Sequence, residues 1–451
     1  MPGACGLGLL LALLLLPMVS ASRPGTVFRL NKEVLSYGKR CAVRLSAMCV
    51  CERVSLGVHA CRIQILNVDV SHLRLTFVAN FGIRLLAATN FTLKIFRDPE
   101  PLHLLLPTAL LADTSVEQGS IGTPLVSISS CFSIFDKAIV FDGRNSTAPA
   151  MLAPLQSHIK AVLQSKLCLR ISNLVQGLNV HLGTLIGLSP VGPESQVRYS
   201  MINTPTITND YISLDINAVL FLLGRPIVLP VDTTPFVLPQ HVGTKGAMAT
   251  VGLSQDLFDS AIMLLQKAGA LNLDVTAQLN SSNNPLNTSV LGQLIPEVAR
   301  QFPEPMPLVL KVRLGATPTV TFRTNNATMR LQPFVEVLAP TSNSAFQYLF
   351  SLNVVNLSLQ LSVSKVRLRG TTSVLGNVQL TVASSNLGFI DTDHVQTVMG
   401  EVFEKPLLDH LNALLGMGIA LPHVVNLQYV TPEIFIQEGY VVVSSGLLYQ
   451  R

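Results

Sequence analysis

Residues 63–83 have the sequence IQILNVDVSHLRLTFVANFGI, in which apolar and polar side chains alternate. A period of two places one set of side chains on one face of an extended strand, so the stretch predicts antiparallel strands with one buried face. The same period returns in the second half of the chain, over residues 271–279, 308–314 and 357–363. The apolar members of the opening stretch are Ile63, Ile65, Val68, Val70, Leu73, Leu75, Phe77, Ala79, Phe81 and Ile83.

Three helices are predicted among these strands. Ser254 is a candidate N-cap for a helix that ends near Gly269. A longer helix begins near Asp391 or Asp393, and we expect Pro406 to kink or break it. A matching helix in the first half runs towards Cys168. Their apolar residues recur at spacings of three and four and are Leu257, Phe258, Ile262 and Leu265; Val395, Val398, Val402, Phe403, Leu407, Leu411 and Leu414; and Leu152, Leu155, Ile159, Val162 and Leu163.

A proline-spaced segment separates two β-rich halves. Residues 224–243 have the sequence GRPIVLPVDTTPFVLPQHVG, with prolines four or five positions apart. Prolines at this spacing hold a chain extended and exclude helix and central-strand pairing. We therefore predict a linker at 224–243, between an N-terminal domain of residues 22–223 and a C-terminal domain of residues 244–451.

The first residues have the pattern of a secretory signal peptide. An apolar core from Leu7 to Met18 is followed by the small residues of the sequence Val19-Ser20-Ala21. The core is shorter than the ~20 residues of a membrane span. We expect residues 1–21 to be removed by cleavage after Ala21 and the chain to be secreted to the extracellular space.

The cysteines and the glycosylation motifs agree with that compartment. Loss of Cys5 with the leader leaves six of the seven cysteines, an even number that favours disulfides without fixing their pairing. The N-x-S/T motifs are candidate N-glycosylation sites and lie at Asn90, Asn145, Asn280, Asn287, Asn326 and Asn356.

The composition favours a protein that encloses apolar surface. Charged residues make up 13% of the 451 residues and hydrophobic residues 49%, whereas about 25% charged residues is typical. After the leader, no segment of about 20 residues lacks a polar interruption, so no transmembrane helix is predicted. A chain with so little charge and no membrane span is expected to enclose apolar surface in an internal cavity or to bury it by association with another molecule.

The net charge of +5 is concentrated before Arg225 but is dispersed, and no polybasic run occurs. Ordinary solvated surface is therefore favoured over a site for anionic headgroups. A nucleic-acid partner is not predicted, because aromatic residues are few and Trp is absent.

Six segments carry a resemblance to a known family, and together they span most of the chain. They are RPGTVFRLNK (23–32), ILNVDV (65–70), GIRLLAATNFTLKIFR (82–97), ISNLVQGLNVHLGTLIGLSPVGPESQVRYSM (171–201), GLSQDLFDSAIMLLQKAGALNLD (252–274) and IPEVARQFPEPMPLVLKVRLGATP (295–318). The sequence resembles the lipid-binding family of the bactericidal/permeability-increasing protein (BPI), which includes lipopolysaccharide-binding protein. The resemblance implies an α+β fold: an elongated two-domain boomerang of two antiparallel β-barrels with packed helices, joined by a central sheet. It also implies a disulfide between Cys131 and Cys168.

The span of residues 38–61, GKRCAVRLSAMCVCERVSLGVHAC, departs from the family pattern. The family has an amphipathic helix here, whereas this span is shorter, contains four cysteines and lacks a helical period. A local disulfide-rich elaboration and a shifted reading frame or mis-spliced exon are the alternatives. We expect the span to be poorly ordered or non-helical, because its pattern presents no apolar helical face. The spacing of Cys49, Cys51, His59 and Cys61 matches no usual structural zinc site, so no metal is predicted.

The resemblance implies passive binding of phospholipid or another amphiphilic lipid, lipopolysaccharide included, with transient contact with membrane surfaces and a role in innate defence or lipid transport. No catalytic motif or cofactor-binding motif occurs, so the chain is not predicted to be an enzyme or to carry a cofactor. A secreted non-catalytic scaffold that keeps the fold without lipid is the alternative function. By position, the candidate lipid-contacting residues are Leu152, Leu155, Ile159, Val162, Val395, Val398 and Val402, although core packing is the favoured explanation for any single one of them. The oligomeric state is not predicted.

Overall fold

The computed structural model describes residues 25–37, 53–54, 62–96, 101–140, 149–227, 236–276, 287–340, 346–353, 357–364, 366–374, 381–388 and 390–450. The predicted signal peptide, most of the span 38–61 and part of the predicted linker lie outside the described residues, as do Asn145, Asn280 and Asn356. The fold is α+β, as predicted, and each strand pair in the described part of the chain is antiparallel.

The strands and helices follow in chain order. The first half contains β1 (Thr26–Asn31), β2 (Arg53–Val54), β3 (Arg62–Val78), β4 (Gly82–Phe96), β5 (Leu102–Gln118), β6 (Pro124–Phe135), β7 (Ile139–Val140), α1 (Pro149–Leu182), β8 (Ser189–Gly192), β9 (Ser195–Met201), β10 (Thr206–Ile207) and β11 (Tyr211–Leu222). The middle of the chain contains β12 (Arg225–Pro226), β13 (Ala249–Ser254), α2 (Gln255–Lys267), β14 (Leu273–Thr276), α3 (Thr288–Leu294), α4 (Pro296–Gln301), β15 (Val309–Leu314), β16 (Thr319–Arg323) and β17 (Asn326–Arg330). The last part contains β18 (Pro333–Pro340), β19 (Phe346–Asn353), β20 (Leu357–Ser364), β21 (Arg367–Val374), β22 (Thr381–Ser385), α5 (Thr392–Met417), β23 (Ile419–Ala420), β24 (Leu427–Gln437) and β25 (Tyr440–Tyr449).

These strands form four sheets. The N-terminal sheet has the order β2-β3-β4-β5-β6, with β7 also paired to β5. Two sheets of the second half have the orders β14-β15-β18-β19-β22 and β16-β17-β20-β21-β23. A central sheet has the order β24-β25-β13-β1-β11-β9-β8, so it combines strands from both halves of the chain.

Residues 63–83 form two strands of one antiparallel pair, as the alternation predicts, and a tight turn separates them. Strand β3 ends at Val78 and β4 begins at Gly82. Asn80 has a positive φ of 60°, as tight turns between strands require. A Cβ on Gly82 would lie 1.8 Å from the carbonyl oxygen of Thr114, so the returning chain needs glycine there. The period of two continues through the turn and therefore conceals it.

The predicted helices form, with altered ends. Helix α1 continues well beyond Cys168 to Leu182. Ser254 occupies the N-cap position of α2, but its hydroxyl makes no capping hydrogen bond. Helix α5 runs through Pro406 without a break. The short helices α3 and α4 were not predicted. A disulfide joins Cys131 on β6 to Cys168 on α1, the pair that the family resemblance implies.

The described residues form two main apolar cores. One core covers the central sheet and the second half and includes Phe258, Phe322 and Phe350. A separate core lies between the N-terminal sheet and α1 and includes Phe91 and Ile159. The N-terminal sheet and α1 therefore have a core of their own, and the central sheet belongs to the larger core.

Arg29 on β1 fixes the end of the predicted linker to the central sheet. Its side chain is 4% exposed. Nη1 donates to the carbonyl oxygens of Pro239 at 2.8 Å and Gln240 at 3.3 Å, and Nη2 donates to that of Leu238 at 3.0 Å. The guanidinium also lies 4.2 Å from the centre of the Tyr211 ring. Burial lowers the pKa of Arg29 from its ordinary value, while the neighbouring Tyr211 has the opposite effect. These carbonyl groups therefore compensate a buried cation, and the chain is held close to β1.

We predict that Arg29→Met lowers the free energy of unfolding by about 1–3 kcal/mol. The variant loses charge-assisted hydrogen bonds to three carbonyl groups, but it also avoids the desolvation free energy of a buried guanidinium. Guanidinium chloride unfolding measures the change. Arg198→Met is the matched control, because Arg198 is an exposed arginine of the same sheet. Equal losses in the two variants would contradict the role given to Arg29.

Candidate functional site

An apolar cavity lies in the second half of the chain, where helices α2 and α5 meet the strands. Its volume is about 40 Å³, which exceeds the ~10–15 Å³ that one water requires. That is room for a few methylene groups, so a longer acyl chain requires the lining side chains to move. The cavity is lined by Val191, Phe258, Ala261, Ile262, Leu265, Leu359, Leu361, Leu368, Arg369, Gly370, Leu414, Leu415, Gly418 and Ile419.

The two helices supply one wall. On α2, Phe258, Ile262 and Leu265 recur at spacings of four and three and therefore share one face. These three side chains are buried in the larger core. The last turn of α5 adds Leu414 and Leu415. The amphipathic pattern that forms α2 thus also produces the apolar wall.

The strands supply the opposite wall. Strand β20 contributes Leu359 and Leu361, which are two positions apart and therefore point to the same face. Gly370 on the neighbouring β21 leaves space, since a Cβ there would lie 3.1 Å from Cδ1 of Leu359. Val191 on β8 belongs to the first half of the chain. The cavity is therefore closed by an end strand of the central sheet.

Arg367 holds β8 against the end of α5. Its Nε donates to the carbonyl oxygen of Met417 at 2.6 Å, and its Nη2 donates to that of Gly418 at 2.6 Å. Nη2 also donates to the carbonyl oxygen of Pro190, beside Val191. Burial lowers the pKa of Arg367, and the charge of neighbouring Arg369 lowers it further. The contacts satisfy helix-end carbonyls that lack intrahelical partners.

Two buried tyrosines fix the segment that follows α5. The hydroxyl of Tyr199 donates to the carbonyl oxygen of Ala420 at 2.5 Å, and that of Tyr429 donates to Pro422 at 2.5 Å. Burial raises the pKa of both phenols above the ordinary value, so they remain neutral donors. Since Ala420 follows the cavity residue Ile419, Tyr199 links the first half of the chain to the cavity wall.

Two of the seven lipid-contact residues nominated from the sequence have described side chains, and neither of them lines this cavity. Ile159 is 2% exposed and packs in the N-terminal core, and Val162 on the same helix is half-buried. The side chains of the other nominated residues lie outside the described part: Leu152, Leu155, Val395, Val398 and Val402. The apolar periodicity of α2 and β20 was visible in the sequence, but Val191 comes to the cavity only through long-range pairing.

The described glycosylation motifs occupy different settings. Asn326 is exposed at the start of β17. Asn90 lies on β4, with a half-exposed side chain between buried neighbours. Asn287 caps α3, and its side chain accepts a hydrogen bond from the Val290 N–H at 2.7 Å. Glycan occupancy at these positions stays a prediction.

Neither metal chemistry nor a membrane span is indicated by the described residues. They contain no group of three or more His, Cys, Asp or Glu side chains that could hold a metal ion. None of their helices has the length and hydropathy of a membrane-spanning helix. What the cavity offers chemically is an apolar wall that can accommodate a hydrocarbon group.

Comparisons with known proteins find the same family for both halves of the chain. Residues 191–449 match the LBP / BPI / CETP family, C-terminal domain, and residues 45–178 match the N-terminal domain of that family. The chain is 70% identical to BPI fold-containing family B member 2 of Homo sapiens, over 100% of both chains. It is 26% identical to bactericidal permeability-increasing protein of Sebastes schlegelii, over 96% of this chain and 97% of that protein. The crystal structure of lipopolysaccharide binding protein has a similar fold, with a TM-score of 0.63 and 19% identity over 95% of this chain and 100% of that one.

We predict opposite effects for two glycine substitutions at the cavity end of α5. Gly418 has a φ of 66° and a ψ of 172°, a region that is essentially restricted to glycine. A Cβ there would lie 2.4 Å from the Leu368 carbonyl oxygen. Gly418→Ala should therefore lower the free energy of unfolding by at least about 1–3 kcal/mol.

Gly416→Ala is the matched control. A Cβ on Gly416 would have no heavy atom within 4 Å, and alanine in a helix is favoured over glycine by about 0.5–1 kcal/mol. Chemical denaturation should show a gain or no change for Gly416→Ala. Losses of similar size in both variants would contradict this description of the helix end.

Proposed function

The chain belongs to the LBP / BPI / CETP family, and on that premise we propose that it is a secreted, non-catalytic protein that binds phospholipid or a related amphiphile in apolar cavities. This proposal rests on the apolar cavity between α2, α5, β20, β21 and the end of the central sheet. Nearly all of its lining residues are apolar. An acyl chain is the ligand that such a wall accommodates.

Burial of hydrocarbon supplies the affinity. Transfer of each CH₂ group from water to an apolar site is favourable by about 0.8 kcal/mol. Transfer from a bilayer to an equally apolar cavity is nearly neutral, so exchange with membranes requires no energy input. The protein therefore acts by passive uptake and release, with transient contact with a membrane surface.

The relatives support a proposal for the biological role. One relative is named bactericidal permeability-increasing protein, and the fold resembles that of lipopolysaccharide binding protein. We extend to this chain a role in innate defence or lipid transport outside the cell, with lipopolysaccharide included among its candidate ligands. The small volume of the cavity favours a second function, that of a secreted scaffold that keeps the fold without lipid.

A cavity-filling variant tests lipid binding directly. Ala261 lies on α2, is 3% exposed and lines the cavity. We predict that Ala261→Leu weakens binding of the fluorescent fatty acid cis-parinaric acid about tenfold or more, because the added carbons occupy the space of the acyl chain; tenfold corresponds to about 1.4 kcal/mol. Fluorescence titration of the full chain gives the dissociation constants.

Ala413→Leu makes the same chemical change at an exposed position of α5 and should leave binding within about twofold of the natural chain. Thermal unfolding of both variants is the check that each remains folded. A folded natural chain that takes up no probe would support the scaffold function instead. Equal affinities for the two variants would place the ligand outside this cavity.

A further inference from the structure

Arg369 is the one charged residue among the described residues that line the cavity. It lies on β21, between the lining residues Leu368 and Gly370. Its Cγ lies beside Gly418, so the aliphatic stem forms part of the wall. The residue as a whole is exposed. Long cationic side chains bury the stem against apolar surface and keep the charged head in water. We therefore expect the guanidinium of Arg369 to extend into solvent at the cavity mouth.

The surroundings of Arg369 increase the positive charge at this mouth. Arg367 lies two positions earlier on the same strand, and its guanidinium is engaged by the carbonyl groups of Met417, Gly418 and Pro190. The side chain of Arg369 has no ion pair or hydrogen bond among the described residues. Arg367 therefore adds a second positive charge next to Arg369, and the guanidinium of Arg369 is available to a ligand.

We propose that the occupant of this cavity is a single-chain amphiphile with an anionic headgroup, whose carboxylate or phosphate pairs with Arg369. This inference rests on the proposed function. The planar guanidinium matches carboxylate and phosphate oxygens in bidentate geometry. The small volume favours one acyl chain over two, since a second chain would need further displacement of the lining side chains. The apolar wall thus supplies affinity, and Arg369 selects the headgroup.

The expected selectivity is modest, because an ion pair at a solvent-exposed position is screened by water and salt. We expect oleate to bind about 3–10-fold more tightly than oleyl alcohol, which has the same chain and no charge. Displacement of the neutral dye Nile red from the full chain at neutral pH gives both affinities. Added salt should weaken oleate binding and leave binding of the alcohol unchanged.

Arg369→Met is the informative variant, because methionine keeps an unbranched apolar stem at the wall and removes the charge. It should abolish the preference for oleate without weakening binding of oleyl alcohol. Arg330→Met is the matched control, since Arg330 is an exposed arginine on β17 of the same sheet. That variant should keep the preference.

Comparison of lysophosphatidate with oleate shows whether phosphate or carboxylate is the recognised headgroup. The ligand with the recognised headgroup should lose more affinity in Arg369→Met than the other ligand loses. Equal binding of oleate and oleyl alcohol to the natural chain would overturn this inference and leave lipid binding intact. A full preference for oleate over oleyl alcohol in Arg369→Met would also overturn this inference and leave lipid binding intact. Failure of every amphiphile to displace the dye from a dye-binding, folded chain would overturn the proposed function as well.

Discussion

Strand β1 is the element on which the rest of the structure depends, because it is paired on both edges by strands from opposite halves of the chain. Phe28 lies opposite Leu214 on one side and opposite Val251 on the other. Buried backbone N–H and C=O groups must be hydrogen-bonded, so neither half can leave β1 without exposing a row of unsatisfied groups. The pairing of β1 therefore joins strands from the two halves of the chain in one sheet. That sheet also places β8, which closes the cavity, at its far end.

Local periodicity was enough to predict the helices α1, α2 and α5 and several of the strands, but not the short helices α3 and α4 or the long-range pairing of strands. The alternation over residues 308–314 and 357–363 corresponds to β15 and β20, and the spacing of apolar residues located α2. The hairpin at Asn80 was missed because the alternation crosses the turn. Pro406 does not break α5, since Leu407, Leu411 and Leu414 are buried in the core and this packing outweighs the lost backbone hydrogen bond.

The candidate site also combines residues that the sequence pattern identified with residues that only the tertiary structure brings together. Phe258 and Ile262 were identified as one face of a helix, yet nothing in the local pattern shows that this face lines a cavity. The cavity also needs Val191 from the first half and Gly370, whose missing side chain leaves the space. Arg369 is one of many dispersed basic residues in the sequence, and its position at the cavity mouth follows only from the pairing of β20 with β21.

The central claim is that this fold carries lipid inside it. Native mass spectrometry of the full chain, purified without detergent from the medium of secreting cells and treated to remove N-glycans, tests that claim most directly. We expect a population whose mass exceeds that of the polypeptide by one amphiphile, and collisional activation should release an anionic single-chain species. A folded chain whose only observed mass is that of the polypeptide, and which gains no mass after incubation with lipid vesicles, would contradict it.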